Sequence, residues 1–135
     1  MFFAGKRPEN LGVRDGKLTA CPNTPNCVCS QSLDAEHSIE PLPYNSTPAE
    51  AIAAIKKVIQ AMPKTKIITE NNNYLYAEFT SALMGFVDDV EFYLDEDAKA
   101  IQVRSASRLG QSDLGVNRKR IETIRTKLKE LKSLP

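Results

Sequence analysis

The chain predicts an α+β fold: a two-layer arrangement with an antiparallel sheet of about four strands, two helices on one face and an extended N-terminal arm. Three observations carry this. Apolar residues recur at helical spacing in two stretches, Thr47 to Met62 and from about Asp113 or Gly115 to about Leu131. Four runs with strand alternation lie between them, joined by short polar turns. Residues 1–46 are rich in Pro, Gly and Asn and hold no sustained period, so they read as an arm packed on a core formed by residues 47–135, one domain overall. Such a long irregular segment is uncommon in a compact domain and is often functional.

The first helix is announced by Thr47-Pro48-Ala49-Glu50. The Thr hydroxyl accepts a free N–H at the third helical position, Glu50 reaches back, and Pro48 suits the first turn. Ile52, Ile55, Ile59 and Met62 then fall on one face, and Pro63 stops the helix. Lys66 to Glu70 is rich in β-branched residues, and Asn71-Asn72-Asn73 can turn because Asn tolerates positive φ. Tyr74 to Ser81 follows, with Leu75, Ala77 and Phe79 alternating against Tyr76, Glu78 and Thr80.

After Met84-Gly85, the run Phe86 to Leu94 places Phe86, Asp88, Val90, Phe92 and Leu94 on one face and Val87, Asp89, Glu91 and Tyr93 on the other. Asp95-Glu96-Asp97 turns the chain into Ala100 to Arg108, where Ile101, Val103, Ser105 and Ser107 alternate with Gln102, Arg104, Ala106 and Arg108. For the apolar faces to share a core, Leu94 must lie opposite Ile101, Phe92 opposite Val103, Val90 opposite Ser105 and Asp88 opposite Ser107. Glu91 then faces Arg104, and Asp89 faces Ala106 diagonal to Arg104. These charges read as an exposed cross-strand ladder, worth about 0.2 to 1 kcal/mol per pair. The last helix carries Ile121, Ile124, Leu128 and Leu131 on its buried stripe, and one turn back the stripe begins at Asn117, an amide that needs partners. Its basic side, Arg118, Lys119, Arg120, Arg125, Lys127, Lys129 and Lys132 against Glu122 and Glu130, reads as a solvated face.

A chain of 135 residues buries a core without staples, and a net charge of +1 argues against wholesale nucleic-acid or membrane-surface binding. Small molecules and protein partners stay open. No apolar run approaches the roughly 20 residues of a membrane span. The start lacks the apolar stretch of a secretory signal, although Leu18-Thr19-Ala20-Cys21 superficially resembles a lipidation box. A soluble, cytoplasmic protein is the default expectation, with plastid and extracytoplasmic locations open.

Polar groups gather where the last strand runs into the last helix, RSASRLGQSDLGVNRKR: Arg104, Arg108, Arg118 and Arg120 with Ser105, Ser107, Ser112, Asp113 and Asn117. Forked guanidinium donors near a helix N-terminus suit a carboxylate or phosphate. The bland alternative pairs these arginines with Asp88, Asp89, Glu91 and Asp113 while Ser112 or Asp113 caps the helix. In CPNTPNCVCSQ, Cys21, Cys27 and Cys29 allow a Cys21–Cys27 disulfide pinning a tight loop, reduced buried thiols, a zinc site completed by His37, or a reactive thiol. His37, the single histidine, lies in a polar stretch and reads as an exposed loop residue, which leaves any Ser or Cys nucleophile without a placed base. Asp88 and Asp89 point to opposite strand faces and cannot act on one bond. The chain has no phosphate-cradling Gly-rich loop, HExxH or paired CxxC.

These three stretches, CPNTPNCVCSQ, FVDDVEF and RSASRLGQSDLGVNRKRI, resemble the uncharacterised bacterial and plastid family catalogued as domain of unknown function 1499, over about Gly5 to Leu131. The resemblance implies that Cys21, Asn26, Cys27, Ser30, Gln31, Asp88, Asp89, Arg104, Ser105, Ser107, Arg108, Gly110, Asp113, Asn117 and Arg118 occupy the family's signature positions. It implies no activity. Cys29 departs from the pattern, where serine is usual, which favours Cys21 with Cys27 as the meaningful pair. The recurrence of the first motif with the last implies that the arm folds over the Arg/Ser surface.

The functional expectation is a non-enzymatic binding module, with Arg104, Ser105, Ser107, Arg108, Asp113, Asn117 and Arg118 holding a small anionic ligand or an acidic partner segment, and with no cofactor, metal or catalytic residue. Two alternatives stand beside it: a hydrolase or transferase using Ser105, Ser107 or Cys27 with arginines stabilising an anion, and a structural protein whose motifs fix the fold.

Overall fold

The computed structural model describes residues 5–81, 85–110 and 113–132. Its elements in chain order are β1 (Val13–Arg14), β2 (Lys17–Leu18), β3 (Cys27–Cys29), β4 (Leu42–Pro43), α1 (Pro48–Ala61), β5 (Thr65–Glu70), β6 (Tyr74–Thr80), β7 (Val87–Asp95), β8 (Ala100–Ser107) and α2 (Val116–Lys132). The α+β class is as expected. The main sheet has six strands rather than about four, because the arm supplies two: β3 and β4 both pair antiparallel with β8, so the order runs β3-β8-β7-β6-β5 with β4 further along the β8 edge. Two- and three-residue strands show no alternation long enough to read, so a period search passes over them.

The helix α1 carries the expected capping box: the Thr47 hydroxyl accepts from the Glu50 N–H and the Glu50 carboxylate accepts from the Thr47 N–H. Ile52, Ile55 and Ile59 are buried, joined by Ala51 and Val58. The β5–β6 turn forms without positive φ at its asparagines, since Asn71 Oδ1 accepts the Asn73 N–H at 3.1 Å and does the local bonding instead. The β7–β8 register is the expected one at every position named above, from Asp88 opposite Ser107 to Leu94 opposite Ile101. In α2, Ile121 and Ile124 are fully buried, and Leu128 and Leu131 pack against the core.

One sheet face and both helices enclose the principal core, which includes Leu75, Phe79, Val90, Phe92, Ile101 and Val103. The other face is covered by the arm. Leu18 is buried there with Cys29, Tyr74 and Tyr76, and Leu11, Val13 and Cys21 pack around them. This cover corrects the reading of the strand charges as an exposed ladder: Asp89, Glu91 and Arg104 retain only 1%, 0% and 5% exposure. No helix among the described residues is long and apolar enough to cross a membrane.

Candidate functional site

At one end of the sheet, β7 begins, β8 finishes and α2 starts within reach of one another, and a cleft of about 290 Å³ opens between them. Asp88, Ser107, Asp113 and Arg120 supply its polar lining, and Phe86, Leu109, Leu114 and Val116 its apolar lining. Those four apolar residues are exposed, Leu114 at 88%. Leu114 also takes a positive φ of 55°, ahead of Gly115 at 82°, so an L side chain is held in a conformation it rarely adopts and is turned into solvent.

The polar lining is bonded within itself and to the residues behind it. The Arg120 guanidinium lies 5.0 Å over the Phe79 ring, donates from Nη2 to Asp88 Oδ2 at 2.8 Å, and donates from Nη1 to Asn117 Oδ1 at 2.9 Å and Ser105 Oγ at 3.2 Å. Asn117 is fully buried and heads the apolar stripe of α2 as its spacing requires. Its Oδ1 also accepts from the Ser105 hydroxyl at 2.6 Å, and its Nδ2 donates to Asp113 Oδ2, Ser107 Oγ and the Asn26 carbonyl. Asp113 caps α2: Oδ1 accepts the Gly115 N–H and Oδ2 the Asn117 N–H, each at 2.9 Å. Burial works against the Asp113 charge, but the N–H donors of Asn117 and Gly115 outweigh it and hold the carboxyl below its ordinary range. Ser112, the other expected cap, lies outside the described residues.

The expected arginine cluster is divided among three places. Arg108 lies on the arm side of the sheet, donating to Asp89 at 2.9 and 2.8 Å and to Glu78 at 2.6 Å. Chiefly through Asp89, and against the effect of burial, its pKa is raised. Arg104, also on that side, meets Glu91 at 3.7 Å. Glu91 Oε2 accepts from the Tyr74 hydroxyl and the Gly12 N–H, whereas Glu91 Oε1 and Arg104 Nε make no hydrogen bond among the described residues. Burial pushes the Glu91 pKa up against these donors. Arg118 grips the arm instead, donating to the Ser38 and Glu36 carbonyls at 2.8 and 3.2 Å. Arg125 does the same with the Pro41 and Glu40 carbonyls. The basic side of α2 is therefore not wholly solvated. Its arginines satisfy carbonyls that a segment without regular pairing leaves over.

The cysteine loop meets the junction. Cys21 and Cys27 are joined in a disulfide, with Cα atoms 5.7 Å apart, and the Asn26 carbonyl accepts from Ser107 N–H at 3.0 Å while Asn26 Nδ2 donates to the Gly110 carbonyl at 2.7 Å. Cys29 is a buried free thiol whose pKa is raised by that burial. His37 is buried, not exposed as its polar surroundings imply. Its Nε2 faces the Thr24 carbonyl at 2.8 Å and its Nδ1 faces Asp34 Oδ2 at 2.5 Å, an arrangement of two acceptors that the doubly protonated ring satisfies. The Thr24 carbonyl foremost, with Asp34 and against burial, raises its pKa.

Of the residues expected to bind a ligand, Ser107 and Asp113 line the cleft, Ser105 and Asn117 lie behind it, and Arg104, Arg108 and Arg118 are elsewhere. The bland pairing of the junction arginines with Asp88 and its neighbours holds for Arg120, although sequence reasoning did not match Arg120 to Asp88 in particular, and it passed over the apolar rim. The spacing held a signal for the pair, because Arg120 follows Asn117 by three and shares its helix face. A broader groove of about 800 Å³ runs between α1 and the β5–β6 turn. Its Lys56 and Glu70 side chains are 41% and 36% exposed and pair with each other, so it lacks the buried polar floor of the junction.

No curated protein matches this chain. Residues 17–128, from the arm through most of α2, match the family described as protein of unknown function, DUF1499, and the chain belongs to that family.

Proposed function

We infer that the domain is a non-enzymatic binding module whose junction cleft takes a small ligand with an apolar body and an anionic end. The observation that carries this is the meeting of four exposed apolar side chains with a fixed polar floor, including Leu114 held outward in a strained backbone conformation. Strain of this kind costs about 1 to 3 kcal/mol and concentrates at ligand clamps. The volume stands at the lower edge of small-molecule sites, which favours a compact ligand.

The anionic end is assigned to Arg120, the one arginine of the junction group on the cleft lining. Asp88 already holds that guanidinium, and Asp113 adds a second carboxylate, so charge alone would repel a bare phosphate. Affinity then comes chiefly from the apolar rim, with a single carboxylate sharing Arg120 with Asp88. The pairing of Arg104, Arg108 and Arg118 within the protein supports fold-fixing roles for these three.

The enzymatic alternative is weakly supported. Cys27 is in the disulfide, Ser105 is fully buried, and both His37 nitrogens are engaged away from either serine. The Cys21–Cys27 bond also supports an oxidising compartment over the cytoplasm.

The test is chemical-shift mapping of the labelled protein with octanoate, octylamine and inorganic phosphate. Octanoate should perturb Leu109, Leu114 and Val116. Perturbation by phosphate alone, centred on Arg104 or Arg118, contradicts the reading.

A further inference from the structure

We propose that the Cys21–Cys27 disulfide is a redox control on the junction cleft, acting through Asn26; the proposal rests on the binding reading above. Asn26 immediately precedes Cys27 and is itself buried. From there it reaches the cleft three times. Its carbonyl accepts the Ser107 N–H and one Asn117 Nδ2 hydrogen, and its own Nδ2 donates to the Gly110 carbonyl. Ser107 and Gly110 line the cleft, and Asn117 positions Arg120. The six-residue separation of Cys21 and Cys27 closes a tight loop, so the crosslink restricts where Asn26 can sit.

The bond is open to exchange from one side. Cys27 is fully buried, whereas Cys21 is half-buried, so an incoming thiolate reaches the Cys21 sulfur and expels Cys27 as thiolate. A dithiol reductant completes the step: its second thiolate attacks the mixed disulfide at its own sulfur and releases Cys21. Two electrons pass to the protein, the reductant becomes a disulfide, and each released thiolate takes a proton. The opened loop then no longer fixes Asn26, and the bonds to Ser107, Asn117 and Gly110 become those of a mobile segment.

The test uses the full chain carrying Cys29→Ser, which prevents thiol shuffling, in oxidised form and after reduction by dithiothreitol. Amide hydrogen exchange at Ser107, read without ligand, should quicken at least tenfold on reduction, while exchange at Val90 in the sheet centre holds. Octanoate affinity should fall at least fivefold. Asn26→Ala in the oxidised protein, which lacks the Gly110 link, should bind octanoate more weakly than its parent. The double variant Cys21→Ser, Cys27→Ser should match the reduced protein. Unchanged Ser107 exchange, or quickened exchange with unchanged octanoate affinity, overturns the proposal. Absence of octanoate binding to the oxidised protein defeats the binding reading instead, and Ser107 exchange still decides whether the disulfide holds the junction.

Discussion

Arg120 and Asp88 meet at 2.8 Å on the lining of the cleft, one from the first turns of α2 and the other from the start of β7. The pair joins the helix layer to the sheet, with the Arg120 guanidinium over the Phe79 ring, and it does so beside open space. The arginines on the opposite sheet face are different in kind, because the arm closes over them. On the binding reading, this difference separates residues that hold the fold from residues that would meet a ligand.

Arg108→Ala should cost about 3 to 5 kcal/mol in urea unfolding, because it leaves Asp89 buried at 1% exposure with an unmatched charge. Arg118→Ala loses two hydrogen bonds to carbonyls that water can reach, and should cost about 1 kcal/mol or less. Similar losses for the two would show that burial does not distinguish their roles.

Asn117→Ala should destabilise by at least about 2 kcal/mol, since Ser105, Ser107 and the Asn26 carbonyl each lose a buried partner. A drop in thermal midpoint with no shift in the far-ultraviolet spectrum below it is the expected signature.

Most of the core was legible because its signals are local. Thr47 and Glu50 announce α1, and the strict alternation of β7 and β8 leaves one register that keeps Phe92 and Val103 inside. Asn117 was legible too, from where the Ile121 and Ile124 stripe winds back. The arm was not. Whether Glu91 and Arg104 are exposed depends on what lies over them, and Leu18 and Gly12 arrive there from more than 70 positions away, with no period to reveal it. The junction was legible as a polar cluster, but the apolar rim of its cleft escaped for the same reason: Phe86 and Leu114 belong to separate segments whose adjacency comes from β7–β8 pairing and the start of α2.

Stability should depend on pH through His37. Its folded pKa is raised above the ordinary 6.5, so its contribution is complete below that value and is lost as pH rises through the folded pKa. The stability difference between wild type and His37→Gln should therefore shrink as pH rises from 6.5 through the raised folded pKa. A constant difference across that interval would contradict the two-acceptor geometry.

Cys21→Ser should lower stability by roughly 2 kcal/mol, the loop-closure value for so short a crosslink. Cys29→Ser, which removes a buried thiol that crosslinks nothing, should cost less. Equal effects in reducing and non-reducing unfolding would count against the bond.

Calorimetric titration of octanoate into wild type and Val116→Glu tests the central claim most directly. Val116 opens α2, where a carboxylate suits the helix dipole, so the variant should fold with unchanged or slightly raised stability. It is also 45% exposed on the cleft rim, so the added charge should repel the anionic end and replace apolar contact. The account predicts binding to wild type and at least tenfold weaker binding to the variant. Equal affinity for the two proteins, or none for wild type while the variant melts normally, would contradict it.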